Sequence, residues 1–154
     1  MPKRSFRFPV WQRLVGQDAV YEWLLPLKVR TADDRFVPKT FLFDPGSGFT
    51  TFSIGDAEQL GIPYHRERPV TIRGTTGTGH GFLAPLRFYL APLPEYAFES
   101  LCCFSPTPLP RPLLSLKDVL ANFRLRTLLP SRLHPLGSLI LQMHGRHKGQ
   151  PLPA

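Results

Sequence analysis

The sequence predicts a mainly β fold, and three features of the chain point there. Eighteen prolines and twelve glycines among 154 residues interrupt it too often for long helices. The stretches between them are short and rich in β-branched and aromatic residues. Two of them flank a polar turn of hairpin length at residues 31–35. At this length one compact domain is expected, and 42% hydrophobic residues suffice to build its core.

In chain order, residues 22–30 read as a strand and 37–43 as its returning partner, which puts Asp44 where a strand ends. After the Gly46-Ser47-Gly48 turn comes a short strand at 49–53, then a short helix at 55–60 stopped by Gly61 and Pro63. Strands at 69–73 and 82–90 flank 74–81. Four glycines in those eight residues suit a mobile hairpin tip, because glycine reaches positive φ and has no side chain to pin the loop. Residues 96–104 read as a strand and the proline-rich 106–112 as a connection. The best-marked helix is 115–123, where Leu116, Val119, Leu120 and Phe123 recur at helical spacing, Ser115 is the N-cap and Asp118 stands at N3. A last strand at 124–129 closes a domain over 22–129, with an N-terminal extension at 1–21 and a C-terminal appendage at 130–154. In that appendage the Leu-rich 133–143 is expected to pack and 145–154 to be disordered.

Charge and cysteine content narrow the function classes. Nineteen Lys and Arg against eleven Asp and Glu give a formal charge of +8 and favour polyanions. The basic residues are nonetheless scattered, without an aromatic-interleaved stripe or a recognition-helix pattern, so a solvated surface is preferred to a nucleic-acid site. Cys102 and Cys103 are adjacent, which strains a disulfide between them and leaves a metal site short of ligands. They read as buried thiols of a reducing compartment. No apolar run reaches the ~18 residues that cross a bilayer, and Met1-Pro2-Lys3-Arg4 leads into no signal-peptide core. A soluble, cytoplasmic protein without membrane partners is the expectation. His65, His80, His134, His144 and His147 show no ligand spacing, so no metal is expected, although His80 is an alternative acid or base. The glycine-rich 74–81 lacks the lysine of a phosphate-binding loop.

Of the six aspartates, only Asp44 is followed two residues later by glycine. Phe41-Leu42-Phe43 leads into Asp44-Pro45-Gly46-Ser47, then come 49–54 and 57–62, a glycine-tipped hairpin, and Leu113-Leu114-Ser115 before a helix. This order over 22–129 resembles the retropepsin-type aspartic peptidases, in which an apolar triplet precedes Asp-Thr/Ser-Gly-Ala/Ser and an Ile/Leu-Leu-Gly precedes the last helix.

The resemblance implies a closed β-barrel half of an acid protease, with a flap hairpin and one short C-terminal helix. It implies a homodimer acting on a peptide or protein substrate without a cofactor. Asp44 is then the catalytic carboxylate of each half, because the chemistry needs two carboxylates sharing one proton and this chain has one motif. Pro45, Gly46 and Ser47 form the active-site loop, the Gly46 N–H and the Ser47 side chain holding Asp44 in place. Thr75, Thr76, Gly77, Thr78 and Gly79 fall where the family carries its substrate-covering flap. Two residues depart from the pattern. Pro45 lacks the hydroxyl and N–H with which the family's Thr or Ser grips the partner chain, and Ser115 replaces a close-packing glycine. The alternatives are a catalytically silent member of the fold used for peptide binding or dimerisation, a plain β-turn at Asp44 to Ser47, and, more distantly, a basic nucleic-acid-binding module.

Overall fold

The computed structural model describes residues 4–74, 77–128, 132 and 136–143. Ten strands and two short helices make up these residues: β1 (Ser5–Val15), β2 (Asp18–Arg30), β3 (Phe36–Asp44), β4 (Thr51–Ser53), α1 (Ile54–Leu60), β5 (Pro69–Gly74), β6 (Gly77–Leu90), β7 (Phe98–Ser105), β8 (Leu113–Ser115), α2 (Leu116–Asn122), β9 (Phe123–Leu128) and β10 (Ser138–Met143). The strands hydrogen-bond in the order β5-β6-β7-β4-β8-β3-β2-β1-β10-β9, and an added β2–β6 pairing joins the run from β6 to β2 into a closed circuit. The mainly β expectation is met.

Local chemistry explains the elements. The β2–β3 hairpin turns through Thr31 to Arg35, where the Thr31 N–H reaches the Arg35 carbonyl at 2.7 Å and Asp34 takes a positive φ of 63°. Asp tolerates that region because its short polar side chain bonds locally. Helix α1 starts on Ser53, whose hydroxyl accepts the Asp56 N–H, and ends on Gly61 at φ 70°, a left-handed position that glycine takes without steric cost. Helix α2 starts as expected on Ser115, which accepts the Asp118 N–H. Leu120, expected on its apolar face, is instead 48% exposed, while Val119 and Phe123 are buried. The helix is only seven residues long and hands over to β9 at Phe123, so its core face is narrow.

The flanking segments join the main sheet. The expected N-terminal extension supplies β1 and the start of β2, and the expected appendage supplies β10, which lies between β1 and β9. Phe8, Leu139 and Leu141 share one core with Phe41, Phe52, Phe88 and Phe104. Short mixed segments hid these strands: Arg7 beside Phe8, or the apolar run Leu139 to Leu141, is interpretable as a strand only once a neighbour is known. Residues 133–135 and 144–154 lie outside the described residues.

Four phenylalanines fill the centre. Phe41, Phe52, Phe88 and Phe104 are fully buried, with Phe41 stacked on Phe88 at 6.1 Å and tilted against Phe52 at 6.0 Å. Each buried ring contributes ~1.5–3 kcal/mol. Cys102 and Cys103 are free and buried, as expected, and burial pushes both thiols above their ordinary range.

The glycine-rich segment differs from expectation. Gly77 to Gly81 belong to β6, paired residue for residue with β5, from Gly74 opposite Gly77 to Val70 opposite Gly81. The reason at Gly81 is packing rather than loop mobility: a Cβ there would lie 2.6 Å from Cys103 Sγ and 2.9 Å from the Phe104 carbonyl. We expect Gly81→Ala to destabilise the fold by ~1–3 kcal/mol, as overpacking against a fixed backbone does. Gly79→Ala, with open space at its Cβ, should cost under about 1 kcal/mol. Urea denaturation of both variants checks this contrast.

Candidate active site

Asp44 ends β3, and its surroundings follow from strand order. β8 lies between β3 and β4, parallel to β3 with Asp44 opposite Ser115 and antiparallel to β4 with Leu113 opposite Thr51. The chain leaving Asp44 must therefore bridge the end of β8 before returning as β4. Strand alternation, which buries Phe41 and Phe43, sets Asp44 on the other face, where it is partly exposed.

The loop closes on the carboxylate itself. The Gly46 N–H donates to Asp44 Oδ1 at 2.9 Å, and the Ser47 N–H donates to the Asp44 carbonyl at 3.1 Å. A Cβ on residue 46 would sit 3.3 Å from that same Oδ1, so glycine is the residue that lets this approach occur without crowding. Ser47 differs from expectation: its hydroxyl donates to the Phe49 carbonyl at 2.6 Å and not to Asp44. The serine stabilises the turn beyond the carboxylate. Pro45 is exposed and sits in this turn, where its fixed φ is tolerated and no amide is needed.

Asp44, Gly46 and Ser47 open into a cleft of about 920 Å³ bounded on its other side by the β5–β6 hairpin. Gly77, Thr78 and Gly79 line it, whereas Thr75 and Thr76 lie outside the described residues. Directly paired residues of a hairpin share a face. Thr71, Arg73, Thr78 and His80 therefore form the hairpin's exposed face, and Val70, Ile72, Gly79 and Gly81 the more buried one. His80 is exposed, on the hairpin face opposite Ile72, and lines the same cleft as Asp44. Phe49, Leu109, Leu113 and Ile72 give the cleft apolar lining, beside the Asp44 carboxylate and the polar Thr71, Arg73, Thr78 and His80. Among the described residues no three His, Cys, Asp or Glu side chains converge as a metal site, and no helix is long and apolar enough to cross a membrane.

Beneath the loop lies a buried polar cluster that sequence reading missed. Asp118, 4% exposed, accepts hydrogen bonds from the hydroxyls of Thr50 and Ser100 and, at 3.2 Å, from Ser115. Lys117 pairs with its Oδ1 at 3.1 Å and also lies over the Phe49 ring at 5.7 Å. The Ser115 N–H donates to Thr50 Oγ1 at 3.1 Å. Thr50, the residue just after the loop, is thereby bound to the strand–helix junction 65 residues later. Ser115 is not a vacancy in the pattern: fully buried, its hydroxyl caps α2 and joins this network. The available signal was the position of Asp118 at N3, which accounts for the cap but not for two partners distant in sequence.

No family model matches the chain, and no curated protein matches its sequence. Its fold does match solved structures. One is a retropepsin-like aspartic protease from Rickettsia conorii, similar at a TM-score of 0.58 with 14% identity, over 93% of this chain and 95% of that one. The chain thus has a retropepsin-like fold.

Removing the Asp118 carboxylate leaves three hydroxyls and a lysine without their acceptor. Asp118→Ala should destabilise the protein by ~3 kcal/mol, and Asp118→Asn, which keeps one acceptor oxygen, by less. Equilibrium denaturation of both variants measures the difference, and equal losses would show that the acceptor oxygen kept by asparagine contributes nothing.

Proposed function

We propose that the chain is a homodimeric aspartic endopeptidase in which two copies each supply Asp44. The observation that carries this reading is the Asp44 carboxylate itself, oriented by the Gly46 N–H at 2.9 Å and facing a peptide-sized cleft under a hairpin. In the dimer one carboxylate of the pair is ionised and takes a proton from water as the water oxygen attacks the scissile carbonyl carbon. The other, protonated, gives its proton to the carbonyl oxygen. Breakdown of the tetrahedral intermediate breaks the C–N bond: the carboxyl that took the water proton gives it to the leaving amine, while the other carboxylate takes a proton from a hydroxyl of the gem-diol, which returns the pair to its one-proton starting state. Pro45, Gly46 and Ser47 hold the loop, and residues 75–79 serve as the flap that covers substrate and excludes water.

A second reading is favoured by Pro45. With neither an N–H nor a hydroxyl, it cannot form the reciprocal loop-to-loop bonds of the resembling family, and a fold member without that grip can serve as a silent peptide-binding or dimerisation module.

Two variants separate these readings. Asp44→Asn should lower peptide cleavage by at least about a thousandfold with the circular dichroism spectrum unchanged, because an amide neither accepts nor shares the proton. Wild-type cleavage should fall as pH rises past neutrality, since the pair works only while it holds one proton. A mutant with full turnover sinks the peptidase reading. Pro45→Thr should tighten the dimer by ~1–3 kcal/mol, roughly fivefold to more than a hundredfold in dissociation constant, through two restored hydrogen bonds. Sedimentation equilibrium of both proteins reads this directly.

A further inference from the structure

The cleft beside Asp44 carries its charge unevenly. Of the described residues that line it, Asp44 is the only carboxylate and Arg73 the only arginine or lysine. The β5–β6 register places Arg73 opposite Thr78 and Thr71 opposite His80. Directly opposed residues share a face, so these four side chains stand together, and the Arg73 to His80 diagonal of ~7–8 Å is within reach of a long side chain. Each of the four donates hydrogen bonds, through two hydroxyls, an imidazole N–H and a guanidinium, and none is an anion. All four are exposed and line the cleft. The guanidinium is also free to take a partner. Arg4, Arg13, Arg30 and Arg35 each pair with a carboxylate, whereas Arg73 forms no ion pair among the described residues. Lys117, over the Phe49 ring, already faces Asp118 at 3.1 Å.

We infer that the cleft selects extended peptides bearing a glutamate or aspartate beneath the β5–β6 hairpin, with Arg73 as the specificity-determining residue and Thr78 and His80 as its neighbours. The inference deepens the proposed function and rests on its reading of the cleft as the peptide site. Chemistry favours a carboxylate there. The planar guanidinium fork matches it with two parallel, charge-assisted hydrogen bonds. A peptide added as a strand turns alternate side chains to the same face, so one such contact sets the register along the cleft as well as the residue chosen. On the proposed reading the Asp44 pair holds one negative charge, and an acidic side chain elsewhere in the cleft meets that charge without an opposing cation. Only the place under Arg73 offsets it. A nucleic-acid strand, with a charge at every phosphate, would find one guanidinium and the repulsion of Asp44, so a peptide is the better match.

The experiment incubates the full chain with two matched decapeptide pools, identical except that every glutamate of one is glutamine in the other. Mass spectrometry reads cleavage, and fluorescence anisotropy reads binding. The expected result is a kcat/KM about five- to tenfold higher for the glutamate pool, a ratio that shrinks as salt is raised to about 1 M. In Arg73→Gln the ratio should fall to about one, and Arg73→Lys, which keeps the charge without the fork, should retain part of it. The wild-type ratio and its salt dependence need no variant to fold. A preference unchanged in Arg73→Gln comes from the overall charge of +8 and overturns the assignment. Equal cleavage of both pools by the wild type overturns the preference and leaves the peptidase reading standing. Without any cleavage, tighter binding of the glutamate pool that is lost in Arg73→Gln sinks the peptidase reading and keeps the acid-selective cleft. Neither cleavage nor binding of either pool overturns both.

Discussion

The loop that carries Asp44 must pass over the end of β8, and the bond of Thr50 to Ser115 and Asp118 is what fastens it there. Backbone pairing holds the far end of the six-residue bridge, where the Thr50 carbonyl accepts the Cys103 N–H at 2.8 Å and β4 runs beside β7, but only three registered pairs at β3 and one at β4 tie the two ends to β8. Asp118 adds a buried acceptor with several donors, and a buried carboxylate tolerates only the arrangement in which those donors all reach it. The consequence passes outward. A fixed Thr50 fixes Phe49, whose carbonyl accepts the Ser47 hydroxyl at 2.6 Å, and the turn so held presents the Gly46 N–H to Asp44.

The family-like loop and its departures are explained by the same constraint. Ser115 occupies a place where a glycine's close packing is the usual solution, yet its side chain points into the Asp118 cluster and so needs no extra room. Pro45 is accommodated because the turn asks for no N–H at that position, the two amides used being those of Gly46 and Ser47. On the proposed reading, what proline removes is a bond to another chain, not one within this chain.

Much of the fold was legible in the residues because the informative signals are local. Ser53 and Gly61 bracket α1, Ser115 and Asp118 start α2, and the polar 31–35 turn joins β2 to β3. The order of apolar strand, Asp44-Pro45-Gly46-Ser47 and hairpin was enough to locate the loop and cleft, and the Gly46 contact follows from glycine's lack of a Cβ. Long-range information was not legible. Nothing near Asp118 in sequence names Thr50 or Ser100 as partners, nothing near residue 140 names β1, and Gly81 reads as a flexible tip until Cys103 and Phe104 are seen against it. Local pattern cannot tell a glycine chosen for freedom from one chosen for the absence of volume.

The central claim, that Asp44 works as a pair across two copies of the chain, has a direct stoichiometric test. A peptide carrying a tetrahedral secondary hydroxyl in place of the scissile carbonyl mimics the intermediate held between two carboxylates, and a site complementary to the transition state binds it more tightly than the substrate. Titration calorimetry should give one such ligand per two chains, with binding lost in Asp44→Asn. One ligand per chain, or binding unaffected by that substitution, would contradict the account.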